Sequence, residues 1–330
     1  MEAELGRCVA SFFPGATGVA GAAKLSGGAS QETWSFDIVH PDGNVGAILR
    51  RAPKGFGAAP LRAAGLNNEA VLMQLAYEAG VPSPRVLHVL RPEDDLGTGF
   101  IMERVEGETI ARKILRDEKF AMARQHLARQ LGRVAAGIHG LPQAKLPQLR
   151  EMTSTKEIDE LGREYHGFDW PRPVFELALR WLKDNDPGPP EEMTLVHGDF
   201  RHGNLIIGPV GVRAVLDWEL AHLGDPMEDL GWICVNSWRF GEIDKPVGGF
   251  GSREELYAGY ESAGRKVDPE RALFWQVMGT LRWGVMCCGM MQRFRDQPDN
   301  SMERAMIGRR ASETEIDLLV LLAPRAPDQK

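Results

Sequence analysis

Along residues 33–39, "TWSFDIV", apolar and polar positions alternate, and Trp34, Phe36 and Ile38 fall on one face of an extended strand. The next residues, "HPDGN", are turn formers, and "VGAILRR" resumes the extended pattern, so residues 33–51 predict a β-hairpin. After a Gly/Ala-rich stretch the period changes. Val71, Leu72, Leu75 and Ala79 recur at helical spacing, and Gly80 before Pro82 stops the helix. "RVLHVL" and "GFIMERV" add two more strands, giving the order β-β-α-β-β.

Beyond Gly107 the pattern is helical, over roughly residues 118–140 and 173–185. "LIIGPVGVRAVLD", residues 205–217, interrupts it as a hairpin with Gly-Pro-Val-Gly at the turn. Helices then resume behind three start signals: Asp225-Pro226 with Glu228 in the capping-box place, Ser252 with Glu255, and Asp268-Pro269. The last of these opens the apolar run that begins at Glu270, whose Met and Trp stripe reads as core packing. Ile316, Leu319 and Leu322 extend a helical pattern across 302–322. The expected chain is α+β: a small antiparallel-sheet lobe over residues 1–103 and a larger helical lobe over 104–330.

A chain of 330 residues is long enough for two such lobes, and 43% hydrophobic with 26% charged residues is ordinary globular composition. A formal charge of −7 argues against a general nucleic-acid binder. No apolar run reaches membrane-spanning length. Cys8, Cys234, Cys287 and Cys288 form no CxxC pair and read as reduced thiols. The N-terminus lacks a signal-peptide pattern, so the expected setting is cytoplasmic.

Chemistry concentrates in "LVHGDFRHGNLII", residues 195–207. His197-x-Asp199 followed by four residues and Asn204 is the spacing of a phosphotransferase catalytic loop, in which the Asp accepts a hydroxyl proton and the Asn holds magnesium. The hairpin returns Asp217 to the same open end, where it and Asn204 offer the oxygen ligands that Mg²⁺ prefers. Phosphoryl transfer asks mainly for alignment and charge neutralisation, which a few fixed carboxylates, a metal ion and a cation supply. His197 reads as loop support rather than a proton-transfer group. His202 and His222 read as loop residues, Glu219 as either a metal assistant or an outward-facing side chain, and His139 as a helix-terminus residue without chemistry.

"HGDFRHGN", "VLDWE" and "GDPMEDLGW", together with the β-β-α-β-β start, resemble the aminoglycoside phosphotransferase/choline kinase superfamily, over roughly residues 20–325. Within it the chain is most similar to the branch near the kinase-like domains found with some acyl-CoA dehydrogenases. The resemblance implies a protein-kinase-like two-lobe fold and an ATP- and Mg²⁺-dependent kinase acting on a hydroxyl of a small molecule. It implies Asp199 as catalytic base, Asn204 and Asp217 as magnesium ligands, and Asp229 as an anchor for the catalytic loop. For the nucleotide it implies Gly27, Gly28 and Ser30 at a phosphate-binding turn, Arg50 beside the phosphates with Glu69 as its ion-pair partner, and backbone at Glu103 to Val105 reading the adenine edge. Arg50 stands where most kinases of this fold have Lys, and the two residues are not equivalent.

The expected partner is a hydroxylated small molecule; an aminoglycoside, a choline-like alcohol, a sugar and a hydroxyacyl thioester all fit. Two other classes remain open. One is a nucleotide-binding module weak or inactive in transfer, which Arg50 keeps alive. The other is a metallohydrolase using His197, Asp199, His202 and Asp217.

Overall fold

The computed structural model describes residues 1–25, 31–52, 62–296 and 301–323. Its first lobe is built on a five-stranded antiparallel sheet in the order β1-β2-β3-β5-β4. Helix α1 (Glu2–Phe12) precedes β1 (Gly18–Leu25), β2 (Glu32–Val39) and β3 (Val45–Ala52). Helix α2 (Leu66–Glu78), β4 (Val86–Val89) and β5 (Thr98–Glu103) complete it. The 33–51 hairpin is therefore β2–β3, with Trp34 opposite Leu49 and Ile38 opposite Val45. The order is α-β-β-β-α-β-β, correcting the shorter one expected. β1 was missed because "GVAGAAKL" is Gly/Ala-rich and lies at the sheet edge, where no apolar alternation is needed.

The two faces of this sheet serve different cores. On the outer face Leu5 and Val9 of α1 pack on Phe36, Ile38, Leu49 and Ile101. On the inner face Phe100 and Met102 join Leu72 and Met73 of α2 in a core continuous with the helical lobe. Period-two alternation along β5 thus splits consecutive residues between two apolar layers.

The second lobe begins with α3 (Ala111–Arg116), α4 (Ala121–Arg124) and α5 (Leu127–His139), so the helical reading of 118–140 is realised in shorter pieces. It continues through α6 (Ser154–His166), which no expectation covered, and α7 (Pro173–Asp184). Short strands follow: β6 (Thr194–Val196), the hairpin β7 (Leu205–Gly208) and β8 (Gly211–Val215), and β9 (His222–Gly224), which pairs with β6. Helices α8 (Met227–Trp232), α9 (Arg253–Glu261), α10 (Pro269–Asp296), α11 (Met302–Gly308) and α12 (Ala311–Leu322) close the chain. The Ser252/Glu255 capping box at α9 is present, and Asp268 accepts from the N–H groups of Glu270 and Arg271 at the start of α10. Residues 302–322 form two helices rather than one. Ile316 and Leu319 point outward, while Ala311, Thr314 and Leu318 are the buried positions of α12.

Two contacts fix the cleft. Just past β5, Glu108 and Ile207 exchange backbone hydrogen bonds of 2.9 Å, joining the interlobe connection to the β7–β8 hairpin. Ala64 N–H, ahead of α2, donates to the Glu219 carbonyl at 2.7 Å. No helix among the described residues is long and apolar enough to cross a membrane, and all four cysteines are free and buried.

Candidate active site

The site grows from the loop between β6 and β7. Gly198 adopts φ +79°, and a Cβ there would come within 2.6 Å of the Leu220 carbonyl, so the residue between His197 and Asp199 is held to glycine by both conformation and space. At the far side of the hairpin Asp217 also lies in the left-handed region, at φ 65°, a strained conformation for a residue with a side chain. Leu205 pairs with Val215, and Leu216 N–H donates to the Asn204 carbonyl at 2.7 Å. Asn204 and Asp217 thus flank the open end of the hairpin.

Asp199 is held from three directions. Its Oδ2 accepts from Asn204 Nδ2 at 2.6 Å, and its Oδ1 accepts from Arg201 Nε at 2.9 Å and from Trp232 Nε1 at 2.8 Å. Asn204 Nδ2 also donates to the Asp199 carbonyl at 3.0 Å, so the oxygen end of this amide is the end left for a cation. His197 is fully buried. Its Nδ1 accepts from Asp199 N–H at 3.2 Å and its Nε2–H donates to the Leu216 carbonyl at 3.0 Å, which ties the loop to the hairpin.

Behind the loop, Asp229 of α8 accepts from His197 N–H at 2.8 Å and Gly198 N–H at 3.0 Å. Burial opposes ionisation of Asp229, but the hydrogen bond and charge of His139 outweigh it and hold the carboxyl below its ordinary range. His139, the last residue of α5, reaches Asp229 with Nε2 at 3.0 Å and Tyr260 with Nδ1 at 2.9 Å, so from its place at the helix terminus it joins this support. Glu228 does not close a capping box. It turns inward to His222 Nε2 at 3.0 Å and Arg282 at 2.8 Å, and Arg282 also donates to the Gly198 carbonyl at 3.1 Å. Despite burial, those two cations pull Glu228 down to about 2. His202 bonds the Gly248 carbonyl, and burial lowers it to about 4.

Opposite the loop, Arg50 of β3 brings three carboxylates together. Its guanidinium lies 2.6 Å from Asp217 Oδ1, 3.4 Å from Glu219 Oε2 and 3.4 Å from Glu69 Oε2. Gln31 Oε1 accepts from its Nε at 2.5 Å. Glu69 is 1% exposed; burial, reinforced by repulsion from Asp217 and Glu219, raises it to about 7 in spite of Arg50. Burial and the Asp217 charge raise Glu219 as well, and its side chain faces the site.

The structure brings Asp199, Asn204, Asp217, Arg50 and Glu69 to one cleft. Gly27, Gly28 and Ser30 lie outside the described residues. Glu103 and Val105 sit at the end of β5 and just past it; Glu103 N–H donates to the Arg85 carbonyl and Arg104 N–H to that of Gly46, each at 2.9 Å. Sequence reasoning gives Trp232, Arg201 and Arg282 no role, although Trp232 closes the quoted motif "GDPMEDLGW", and it reads Glu228 as a cap and His139 as a helix-terminus residue without seeing their part in this support.

A kinase-like two-lobe fold with this loop, hairpin and anchor defines a phosphotransferase class, and the profile of the Phosphotransferase enzyme family matches residues 21–265. The chain belongs to that family. Among curated relatives it is similar to acyl-CoA dehydrogenase family member 10 of Mus musculus, at 30% identity over 57% of this chain and 18% of the relative. Family member 11 of Gallus gallus matches at 27% identity, over 70% of this chain and 30% of the relative. The chain therefore spans less than a third of these relatives' length. Among solved structures, a Ralstonia eutropha protein described as a candidate aminoglycoside phosphotransferase aligns over 97% of both chains with a TM-score of 0.73 and 22% identity. An aminoglycoside phosphotransferase in ternary complex with ADP and hygromycin B aligns over 97% of this chain and 98% of that one, with a TM-score of 0.60 and 19% identity.

Proposed function

We propose that the protein is an ATP- and Mg²⁺-dependent kinase that phosphorylates a hydroxyl of a small molecule, with Asp199 as the base. The observation carrying this reading is the convergence of Asp199, Asn204, Asp217 and Arg50 in one cleft. In the proposed step the acceptor oxygen attacks the γ-phosphorus, its proton passes to Asp199, and the bond to the β–γ bridging oxygen breaks to release ADP. Asn204, Arg201 and Trp232 fix the carboxylate for that proton.

The donor set suits magnesium. Asn204 and Asp217 would supply oxygen ligands, and among the described residues Arg50 is the cation ion-paired to Glu69, Asp217 and Glu219, which leaves an excess of negative charge for a divalent ion to neutralise. When bound, Mg²⁺ would offset the charge of the phosphates. Arg50 would exchange Asp217 for phosphate oxygens, keeping Glu69 as its partner. Val105 offers the backbone donor for an adenine edge, because those of Glu103 and Arg104 are engaged. That solved relatives of this fold hold ADP or AMP-PNP supports nucleotide use here.

The hydrolase reading has lost its ligands: His197 and His202 bond backbone carbonyls, and among the described residues no metal-holding group of His, Cys, Asp and Glu forms at the loop. The test is an ATP-consumption screen over hydroxylated metabolites, including hydroxyacyl-CoA esters, sugars, choline-like alcohols and aminoglycosides, run with Mg²⁺ and with Zn²⁺. Product with Mg²⁺ and ATP supports the reading; hydrolysis with Zn²⁺ and no nucleotide overturns it.

A further inference from the structure

The outer face of the first lobe holds a group of side chains that phosphoryl transfer does not use. Cys8 lies on α1, His88 on β4, and Asp94 in the 3₁₀ turn Pro92–Asp94 after it. The Cys8 sulfur, a ring nitrogen of His88 and a carboxylate oxygen of Asp94 all fall within 4.8 Å of one another. His88 Nε2 stands 2.8 Å from Asp94 Oδ2, with both side chains buried, and Cys8 is only 2% exposed. Neighbours fix the geometry. The Phe12 ring stacks on His88 with centroids 4.4 Å apart and planes 2° from parallel, and Arg91 N–H donates to Asp94 Oδ2 at 2.7 Å. A cavity of about 400 Å³, lined also by Arg7, Ser11 and Arg91, opens onto all three and gives an ion a way in.

We infer that Cys8, His88 and Asp94 form a zinc site, completed by water, that fastens α1 to the β4–β5 connection. A thiolate, an imidazole and a carboxylate are the donor types zinc accepts, whereas magnesium and calcium take oxygen ligands. Bonds of roughly 2.0–2.3 Å to a tetrahedral ion place donors about 3.3–3.8 Å apart. His88 and Asp94, 2.8 Å apart, stand closer than that spacing, and all three donors fall within 4.8 Å of one another, so small side-chain rotations complete the site. On binding, the Cys8 thiol passes its proton to solvent as the Zn–S bond forms, with no change of oxidation state. Thiolate and carboxylate together balance the zinc charge in this buried place. Cys8 precedes the family-matched segment, residues 21–265, whereas His88 and Asp94 lie within it, so the site would tie α1 to the matched part of the chain. The inference is independent of the proposed kinase activity.

The test is titration of the full-length, metal-free protein with Co²⁺, followed by displacement with Zn²⁺. One equivalent of Co²⁺ is expected to give an intense near-ultraviolet thiolate-to-cobalt band, which Zn²⁺ removes, and Zn²⁺ is expected to raise Tm. Cys8→Ser, nearly isosteric, loses the band and the Tm shift. His88→Gln keeps the thiolate and is expected to weaken affinity at least tenfold, a second reading should Cys8→Ser fold poorly. Absence of the band in the wild-type protein, or its persistence in Cys8→Ser, overturns the site.

Discussion

Arg50 carries a heavy electrostatic load in the cleft. One guanidinium meets Glu69, Asp217 and Glu219, which its planar fork can do and a lysine ammonium on a flexible stem cannot do as well. Arg50→Lys is therefore expected to lose one charge-assisted contact, about 1.5–3 kcal/mol, and to raise KM for ATP roughly ten- to a hundredfold. Steady-state kinetics check it. Glu69 gives the pH dependence. Its carboxyl rises from 4.5 to about 7 on folding, so protonation favours the fold; the contribution is complete below 4.5 and is lost as pH rises through about 7. Glu69→Gln is expected to flatten the fall of Tm across that window, which thermal denaturation against pH measures. Asp199, Asn204 and Asp217 were legible because loop chemistry fixes their spacing along the chain. His139, Trp232 and Arg282 were not, because each acts across long sequence separations, as the His139–Asp229 contact does, and no local period encodes such a meeting.

Elements were legible where turn or cap chemistry marks them. The β2–β3 and β7–β8 hairpins and the starts of α9 and α10 carry their signals in a few adjacent residues. β1 lacks such signals, and α6 has only a Thr153 cap, which accepts from Lys156 N–H at 3.3 Å. The large apolar residues that α6 buries form a narrow stripe, Ile158, Leu161 and Tyr165, beside buried Ser154, Glu157 and Gly162. The apolar pattern misled at α12, where Ile316 and Leu319 face outward, because periodicity gives a face but not what covers it. Neither did the sequence announce how closely α5 and α9 pack. A Cβ at Gly132 would lie 2.0 Å from the Leu256 carbonyl, and one at Gly259 2.0 Å from that of Arg129. Gly132→Ala is expected to destabilise by about 1–3 kcal/mol, read as a fall in denaturation midpoint. Ser252→Ala removes the α9 cap, and the same measurement should show a loss of about 1 kcal/mol.

At the scale of the molecule, two lobes meet where Glu108 pairs with Ile207 and Ala64 bonds Glu219, so the interlobe connection, the segment before α2 and the β7–β8 hairpin form one frame. The lobes themselves follow from the sequence, since short alternating segments give way to long helical ones. The cleft between them does not, because it is a product of long-range packing. A nucleotide bridging the lobes is expected to stabilise the whole chain. At a hundred times Kd, Mg²⁺-ATP should add about 2.7 kcal/mol, seen as a rise in Tm that Asp217→Asn diminishes. The central claim concerns proton acceptance by Asp199, and phosphoryl transfer to an acceptor found by the metabolite screen, compared between wild type and Asp199→Asn, tests it most directly. The account predicts at least about a hundredfold loss of kcat in the variant with Mg²⁺-ATP affinity nearly unchanged; equal turnover by the two proteins would contradict it.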